Sequence, residues 1–311
     1  MNNLIFLAAF TLFLTSSARA QDSVYGGDPL QLGAGARALG MGSAFVAVSD
    51  DATAFYWNPA GLVYLVRREV HAQHTQQFGG SVNHDILALG LPLKMGGLGL
   101  GLQRIGVDDI SFTALEDPGR PIGPDNRPIV SRTVGTTEFD LHLAYAHRLR
   151  PFLTVGFSTK LVYRNLSVGT GSGFGIDAGL MYQPRLPLKF GLVIRDLTRT
   201  RIHFDTGKVD VISPSFLLGS SYQFPLSETN TLLASTSLQL AQDRSGIEND
   251  PAFGVGLEYQ FRQKVMLRLG RQGSHLTAGA GIRLARATVD LAYLENNQLN
   301  NTYRISTSLY F

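Results

Sequence analysis

The chain has 311 residues, a formal net charge of +3, 34 glycines, 16% charged residues and no cysteine. The lack of cysteine excludes a disulfide scaffold, thiolate chemistry and a lipid anchor on cysteine. The positive charge is spread out without a basic run, which argues against nucleic-acid binding. No change of composition divides the chain, so we expect one domain, and high glycine with low charge favours a membrane or tightly turned β-structure.

The first twenty residues are typical of a secretory signal peptide. The run from Leu4 to Leu14 is apolar but too short to span a bilayer, and Ala18 and Ala20 form an A-x-A cleavage site. We therefore predict export with removal of residues 1–20. The rest of the sequence lacks the run of about 18 apolar residues that a membrane helix needs, so a membrane location would require a β-barrel.

Residues 21–61 are irregular and rich in glycine, and one short helix is predicted within them. Ser49 or Asp50 can cap this helix, and the carboxylates of Asp50 and Asp51 favour its N-terminal dipole. Asn58 and Pro59 are expected to end it, because proline has no amide hydrogen and restricts the residue before it.

The predicted helix is only about two turns long and is marginal by itself in water. It carries Trp57, the single tryptophan of the chain, beside Phe55 and Tyr56. We expect these aromatic side chains to pack against another part of the protein, with Trp57 buried. Ala60 and Gly61 then turn the chain towards the first strand.

Residues 62–311 alternate apolar and polar residues in short segments, which is the period of a β-strand with two different faces. In the clearest segments one face is free of charge while the other carries Lys160, Arg164, Asp177, Glu258 and Arg304. We place fourteen strands near residues 63–75, 82–91, 97–108, 136–149, 152–164, 173–183, 188–197, 214–224, 230–241, 251–261, 264–271, 275–284, 287–295 and 302–311.

A soluble β-sandwich would show the same alternation, but three features favour an all-β, antiparallel outer-membrane barrel. Aromatic residues lie near the ends of the apolar faces. Tight turns alternate with longer links, of which the longest are 109–135, 198–213 and 242–250. The last strand ends in Phe311. We predict a bacterial outer-membrane location with both termini in the periplasm.

A barrel of this size leaves a lumen wider than the roughly eight-stranded barrel that side chains fill. We therefore predict that residues 21–61 form a luminal plug, with Trp57 buried against the inner wall, and that residues 62–311 form the barrel. Charged residues of the polar faces are expected to point into the lumen, either as a network that holds the plug to the wall or as a path for solutes. They are Asp140, Lys160, Arg164, Asp177, Arg195, Glu258, Arg268, Asp290 and Arg304.

Residues 35–62, GARALGMGSAFVAVSDDATAFYWNPAGL, resemble the N-terminal signature of the PorV/PorQ family, within the superfamily of FadL-type transporters of hydrophobic compounds. Asn58, Pro59 and Ala60 match the NPA triplet of both groups. The PorV/PorQ form is matched further by Gly40, Gly42, Asp51, Ala52 and Trp57. The resemblance implies a fourteen-stranded barrel with this segment folded into the lumen as a hatch.

Catalytic and metal sites are not predicted. GAGARA at residues 33–38 fits a dinucleotide fingerprint formally, but no apolar strand precedes it. His71 and His74, like His142 and His147, are spaced to point to opposite faces of a strand. No G-x-S-x-G motif occurs, so we expect neither an enzyme nor a cofactor.

Two functions remain open. The PorV/PorQ resemblance implies protein secretion or surface attachment of the type IX kind, with secretion-machinery or cargo proteins bound through loops such as 108–135. The alternative is FadL-like passive uptake of hydrophobic small molecules, which predicts a continuous apolar pocket between the long loops and the plug. Outer-membrane lipid is an expected partner in both cases.

Overall fold

The computed structural model describes residues 32–185, 187–241, 252–296 and 300–311. The predicted signal peptide, residues 21–31 of the predicted plug and the link 242–250 lie outside these residues. In the described part of the chain, no helix is long and apolar enough to cross a membrane.

Fourteen strands of the described chain form one closed antiparallel barrel, as the sequence predicts. Each strand pairs with its neighbours along the chain, and the first strand of the barrel also pairs with the last, which closes the sheet. The barrel strands are β1 Glu69–Gln77, β2 Val82–Leu93, β3 Gly96–Leu115, β4 Pro128–Arg150, β5 Leu153–Asn165, β6 Thr170–Arg185, β7 Leu188–Arg195, β10 Ser215–Pro225, β11 Thr231–Ala241, β12 Ala252–Phe261, β13 Val265–Gln272, β14 His275–Arg283, β15 Ala287–Leu294 and β16 Thr302–Tyr310.

Two further strands, β8 Thr200–Phe204 and β9 Val209–Ile212, form a hairpin inside the link predicted at 198–213. The hairpin pairs with β6 beyond the point where β7 ends at Arg195. Ile202 is fully buried against Val162 of β5, while its neighbours Arg201 and His203 are exposed. The hairpin therefore continues the wall above β7.

The predicted link 109–135 is mostly strand. β3 continues to Leu115 and β4 begins at Pro128, so the two form a long ribbon that projects beyond their neighbours and closes through residues 116–127. The prediction missed this extension because both faces of the ribbon are exposed to solvent, which removes the alternation of hydrophobicity that marks a half-buried strand.

The barrel has two unlike ends. Tight links join β2 to β3, β4 to β5 and β12 to β13 at one end, which we call the short-turn end. The β3–β4 ribbon and the β8–β9 hairpin lie at the opposite, long-loop end. Barrels of bacterial outer membranes have short periplasmic turns and longer extracellular loops.

The two faces of the wall differ as predicted. Outward positions such as Leu143, Phe157 and Leu161 are exposed and apolar, whereas the interleaved positions of β4 and β5, such as His142 and Lys160, are buried in the lumen. The outer surface is therefore suited to hydrocarbon and the inner surface to polar contacts.

Residues 32–64 cross the lumen, and we call them the plug. They contain helix α1, Ala36–Gly40, helix α2, Ala54–Trp57, and a 3-10 helix, Pro59–Tyr64. The prediction of a single two-turn helix beginning near Asp50 is wrong: α2 is one turn long and begins after Thr53. Strand β1 begins at Glu69 rather than near residue 63, because the 3-10 helix occupies the intervening chain.

We predict that Leu143→Arg, near mid-height on the outer wall, lowers the free energy of unfolding in lipid vesicles by about 2–4 kcal/mol, because an arginine there enters hydrocarbon. Leu149→Arg at the short-turn end is the matched control and should cost about 0–1 kcal/mol. Denaturant titration measures both values. Equal losses for the two variants would contradict the lipid-facing assignment.

Candidate functional site

The plug touches much of the inner circumference of the barrel. Helix α1 contacts β13, β14, β15 and β16, helix α2 contacts β3 and β4, and the 3-10 helix contacts β2 through β6. These contacts join both sides of the lumen. The plug therefore lies at the centre of the candidate functional site.

Glycines on the wall allow this close approach. A Cβ atom at Gly101 of β3 would meet the ring of Phe55, and one at Gly99 would lie 3.0 Å from the Leu62 side chain. Gly156 of β5 faces the backbone of Pro59 and Ala60 in the same way. Gly99, Gly101 and Gly156 thus face the lumen and leave room for the plug.

Trp57 is 5% exposed and belongs to the core of the plug. Its Nε1 donates a hydrogen bond to the carbonyl oxygen of Ala34 at 2.7 Å, and its ring meets Phe45 and Tyr56 edge-on, with centroids 6.1 and 5.1 Å away. From the wall, the Arg195 guanidinium lies 5.9 Å from its ring centroid. Trp57 is buried as predicted, but its ring packs mostly on the plug itself rather than on the inner wall, because the plug folds back on this ring through Ala34 and Phe45.

Asn58 joins two parts of the plug to the wall. Its Oδ1 accepts the amide of Ala60 at 3.1 Å, while its Nδ2 donates to the carbonyls of Val46 and Leu180, at 3.0 and 3.2 Å. Pro59 occupies the first turn of the 3-10 helix, where an amide hydrogen would have no partner. These contacts explain the asparagine and the proline of the NPA triplet.

Gly61 and Ala60 are placed by equally close contacts. A side chain on Gly61 would collide with the carbonyl oxygen of Ser49, so the 3-10 helix packs directly on the preceding plug backbone. The carbonyl of Ala60 accepts a hydrogen bond from Thr154 Oγ1 of β5 at 3.3 Å. The predicted motif from Asn58 to Gly61 therefore holds the end of the plug against β5 and β6.

Asp50 and Asp51 do not cap α2, contrary to the prediction. Asp51 Oδ1 accepts the amide and hydroxyl of Thr53 in a local turn, at 2.9 and 2.5 Å, and this turn delays the start of the helix. Asp50 Oδ1 instead accepts from Arg37 Nη1 at 2.5 Å. Burial raises the pKa of the Asp51 carboxyl, against the opposing effect of the Arg37 charge.

Glu258 is the centre of a chain of ion pairs that links the plug to three strands. Its fully buried carboxylate accepts from Arg37 of the plug at 2.9 and 3.0 Å and from Arg268 of β13 at 2.6 Å. Arg268 also donates to Asp290 of β15 at 2.7 Å. Arg37 was not predicted as a site residue, although it is the only charged residue between Asp28 and Asp50.

Two more arginines hold the plug from the wall. Arg195 of β7 donates to the carbonyl of Tyr56 at 3.3 Å and lies 4.5 Å from the centroid of its ring. Arg304 of β16 donates to the carbonyls of Leu32 and Gly35, at 2.8 and 3.3 Å. Glu258, Arg268, Asp290, Arg195 and Arg304 thus form the predicted network between plug and wall.

The other predicted lumen residues lie in wall-to-wall contacts. Lys160 Nζ pairs with Asp177 at 3.1 Å and with Asp196 at 2.6 Å, and Asp196 accepts from Thr200 Oγ1 at 2.5 Å. Asp196 and Thr200 were not predicted, because their placement depends on the turn from β7 into β8. This group fixes the root of the β8–β9 hairpin.

Arg164 of β5 pairs with Glu138 of β4 at 2.8 Å, and Asp140 is buried one inward position away from Glu138. Both neighbouring strands therefore contribute charge to the lumen. His71 and His142 are buried on the inner face, while His74 is exposed outside, which confirms their predicted opposite directions. Among the described residues, no cluster of three His, Cys, Asp or Glu side chains is suited to a metal ion.

A cavity of about 450 Å³ lies between the plug and the short-turn end. Apolar atoms come from Val48, Leu65 and Leu233, beside the ring of Tyr64. Its charged lining residues are Arg37, Asp50, Asp51, Arg67, Glu69, Lys189 and Arg283. A second depression, a groove of about 860 Å³, lies on the outer side of β4, β5 and β6. Neither lies between the long loops and the plug, where the transporter hypothesis predicts a pocket.

Several solved structures are similar to this one over most of the chain. A structure described as the CymD monoaromatic hydrocarbon channel matches with a TM-score of 0.60 and 13% identity, over 90% of this chain and 98% of that chain. The toluene transporter TbuX of Ralstonia pickettii matches with a TM-score of 0.61 and 14% identity, over 90% and 98%. A FadL homologue of Pseudomonas aeruginosa matches with a TM-score of 0.53 and 11% identity, over 88% and 98%.

The fold and the apolar outer surface define an outer-membrane β-barrel with a plug in its lumen, similar in fold to the structures named above. Residues 15–179, more than half of the chain, match the family described as Uncharacterised protein family (UPF0164), and the chain belongs to this family. A search of curated proteins found no match. These comparisons do not extend to PorV/PorQ, so that resemblance stays a prediction, as does the periplasmic position of the termini.

We predict that Gly101→Leu displaces α2, because the new side chain would occupy the position of the Phe55 ring. Fluorescence of Trp57, the only tryptophan, should shift to the red and become accessible to acrylamide. The matched control is Gly123→Leu, where a Cβ meets nothing within 4 Å. Unchanged quenching in the Gly101 variant would contradict the packing of α2 against β3.

We predict that Glu258→Gln loosens the plug, because Arg37 and Arg268 lose the charge they share. Removing one partner of a buried ion pair costs about 3–5 kcal/mol, so the free energy of unfolding should fall by that order. Conductance in planar bilayers should rise at the same time. Glu228→Gln, at an exposed turn position, is the control and should change neither quantity. A variant that stays as closed and as stable as the parent would contradict the role of Glu258.

Proposed function

We propose that the protein is a passive outer-membrane channel for small hydrophobic molecules. The observation that carries this proposal is the likeness, over almost the whole length of both chains, to structures described as a monoaromatic hydrocarbon channel and a toluene transporter. The shared fold includes a barrel of the same kind. At the low identities involved, this likeness supports the function by analogy.

The plug supports selective passage rather than an open pore. It crosses the lumen and is fixed by arginine contacts on several sides, so it occupies the space that an open pore would need. A solute that passes has to use smaller cavities around the plug. This arrangement favours small molecules that need little hydration.

The cavity at the short-turn end is suited to be the last binding site that a solute occupies on such a route. Its volume of about 450 Å³ falls in the range of roughly 300–1,000 Å³ that small-molecule sites occupy. Val48 of the plug, Leu65 just after it and Leu233 of β11 offer apolar contacts, and charged side chains line the same cavity. The mixed lining is typical of a site that releases its occupant to water.

The secretion function implied by the PorV/PorQ resemblance has no comparable support, since two of the similar structures named above are described as a channel and a transporter and none as a secretion protein. The partner-binding surface predicted at residues 108–135 is also not the free loop that was expected, because these residues largely form the β3–β4 ribbon. No catalytic reaction is part of the proposed function.

The proposal is tested by uptake of radiolabelled toluene into bacteria with a lipopolysaccharide outer leaflet that lack a FadL-type channel of their own. Expression of the protein should raise the initial rate severalfold, while the rate for a labelled hydrophilic sugar should stay unchanged. Leu233→Trp, which fills the short-turn cavity, should lower the toluene rate.

The matched control is Leu240→Trp, which adds the same bulk to an exposed position of the same strand. It should transport like the parent. The proposal fails if expression leaves toluene uptake unchanged, or if the sugar enters as readily as toluene does.

A further inference from the structure

The groove on the outer wall is apolar along its floor. It is lined by outward side chains of three adjacent strands, Phe139 and Leu141 of β4, Leu161 and Tyr163 of β5, and Phe174 of β6. All five side chains are more than a third exposed. Because they belong to the outer face of the barrel, an occupant of the groove reaches it from the plane of the membrane rather than through the lumen.

One edge of the groove is basic. Arg199, Arg201 and His203 line it, and all three are exposed. Among the described residues, neither Arg199 nor Arg201 forms an ion pair with a carboxylate, unlike the lumen residues Arg164 and Arg268. The edge therefore presents two unneutralised guanidinium groups beside an apolar surface.

The fold holds this basic edge in place. Arg201 and His203 alternate along β8 with Thr200 and Ile202, so the strand directs its basic residues outward and its other residues inward. At the root of the hairpin, Thr200 donates a hydrogen bond to Asp196, which forms an ion pair with Lys160. Because these buried contacts fix β8, the basic side chains are attached to a rigid backbone.

The basic edge lies near the boundary, at the long-loop end, of the apolar band that faces the lipid hydrocarbon. Arg201 pairs with Phe174 on β6, and Tyr182 lies near the short-turn end of the same strand. The eight residues from one to the other, at about 3.3 Å each and a tilt of about 40°, span roughly 20 Å of a band about 25 Å tall. A guanidinium at this height reaches the headgroups by extending its side chain.

We propose that the groove binds a phosphorylated, multi-acylated glycolipid of the outer leaflet. An acyl chain lies along Leu141 and Leu161, and a phosphate is held by Arg199 and Arg201. Guanidinium groups match phosphate oxygens with paired, charge-assisted hydrogen bonds, and they supply the positive charge that this headgroup requires. The long-loop end of such a barrel faces the outside, where this class of lipid is found.

The site is independent of the proposed transport function, because the groove and the route around the plug lie on opposite sides of the wall. Native mass spectrometry of the full chain in detergent tests it, with diphosphoryl lipid A as the probe. The parent should retain a bound lipid. Arg199→Gln combined with Arg201→Gln should weaken the apparent affinity by about tenfold or more, since the phosphate loses both charged partners.

The matched control combines Arg262→Gln with Arg286→Gln, which removes the same charge from exposed positions at the short-turn end. It should bind lipid like the parent. Heat-dependent electrophoretic mobility verifies that every variant is folded. Equal binding by the two double variants would overturn the proposal.

Three other probes test the chemistry. Lipid A without phosphates should bind weakly, and inorganic phosphate should not displace the diphosphoryl form. Retention of the dephosphorylated lipid at parental affinity would show that the apolar floor alone binds, and displacement by inorganic phosphate would show a simple anion site. Tighter binding of oleate than of lipid A would identify the groove as a port for a monoacyl carboxylate. Each of these three results overturns the proposal.

Discussion

Backbone hydrogen bonding is the constraint from which the rest of this structure follows. Within hydrocarbon an unpaired N–H or C=O group costs several kcal/mol, so a spanning sheet has to close on itself. The pairing of β1 with β16 and of β5 with β6 meets this requirement. A closed barrel of fourteen strands then encloses a lumen that its own side chains do not fill, and the plug occupies that volume.

The residues of the inner wall differ between the part that contacts the plug and the part that does not. Where the plug passes, the wall offers glycines such as Gly101 and Gly156 or arginines that reach plug carbonyls, such as Arg195 and Arg304. Away from the plug, charges pair with one another across strands, as in the group around Lys160. Inward charge in this barrel therefore serves two mechanical purposes, fixing the plug and fixing the β8–β9 hairpin.

Strand positions were predictable because lipid and lumen impose opposite demands on successive residues. The pair of Glu258 with Arg268 also follows from the sequence, since the two face each other across a tight hairpin. The partner of Glu258 from the plug, Arg37, was not predictable, because 221 residues separate them and only the completed barrel brings them together. The start of α2 was misjudged for a local reason, since the Asp51 side chain binds Thr53 and competes with helix formation.

The contacts of Arg304 have a consequence for the order of folding. This residue lies on the final strand, yet it holds the carbonyl of Gly35, which is 269 residues earlier in the chain. The plug is exported before β16 and cannot acquire this contact until the strands between them have followed it. Such a high contact order predicts slow assembly, with the seam between β1 and β16 and the seating of the plug completed together at the end. A chain without β16 would thus lose both the closure of the barrel and the hydrogen bonds from Arg304 that hold the plug.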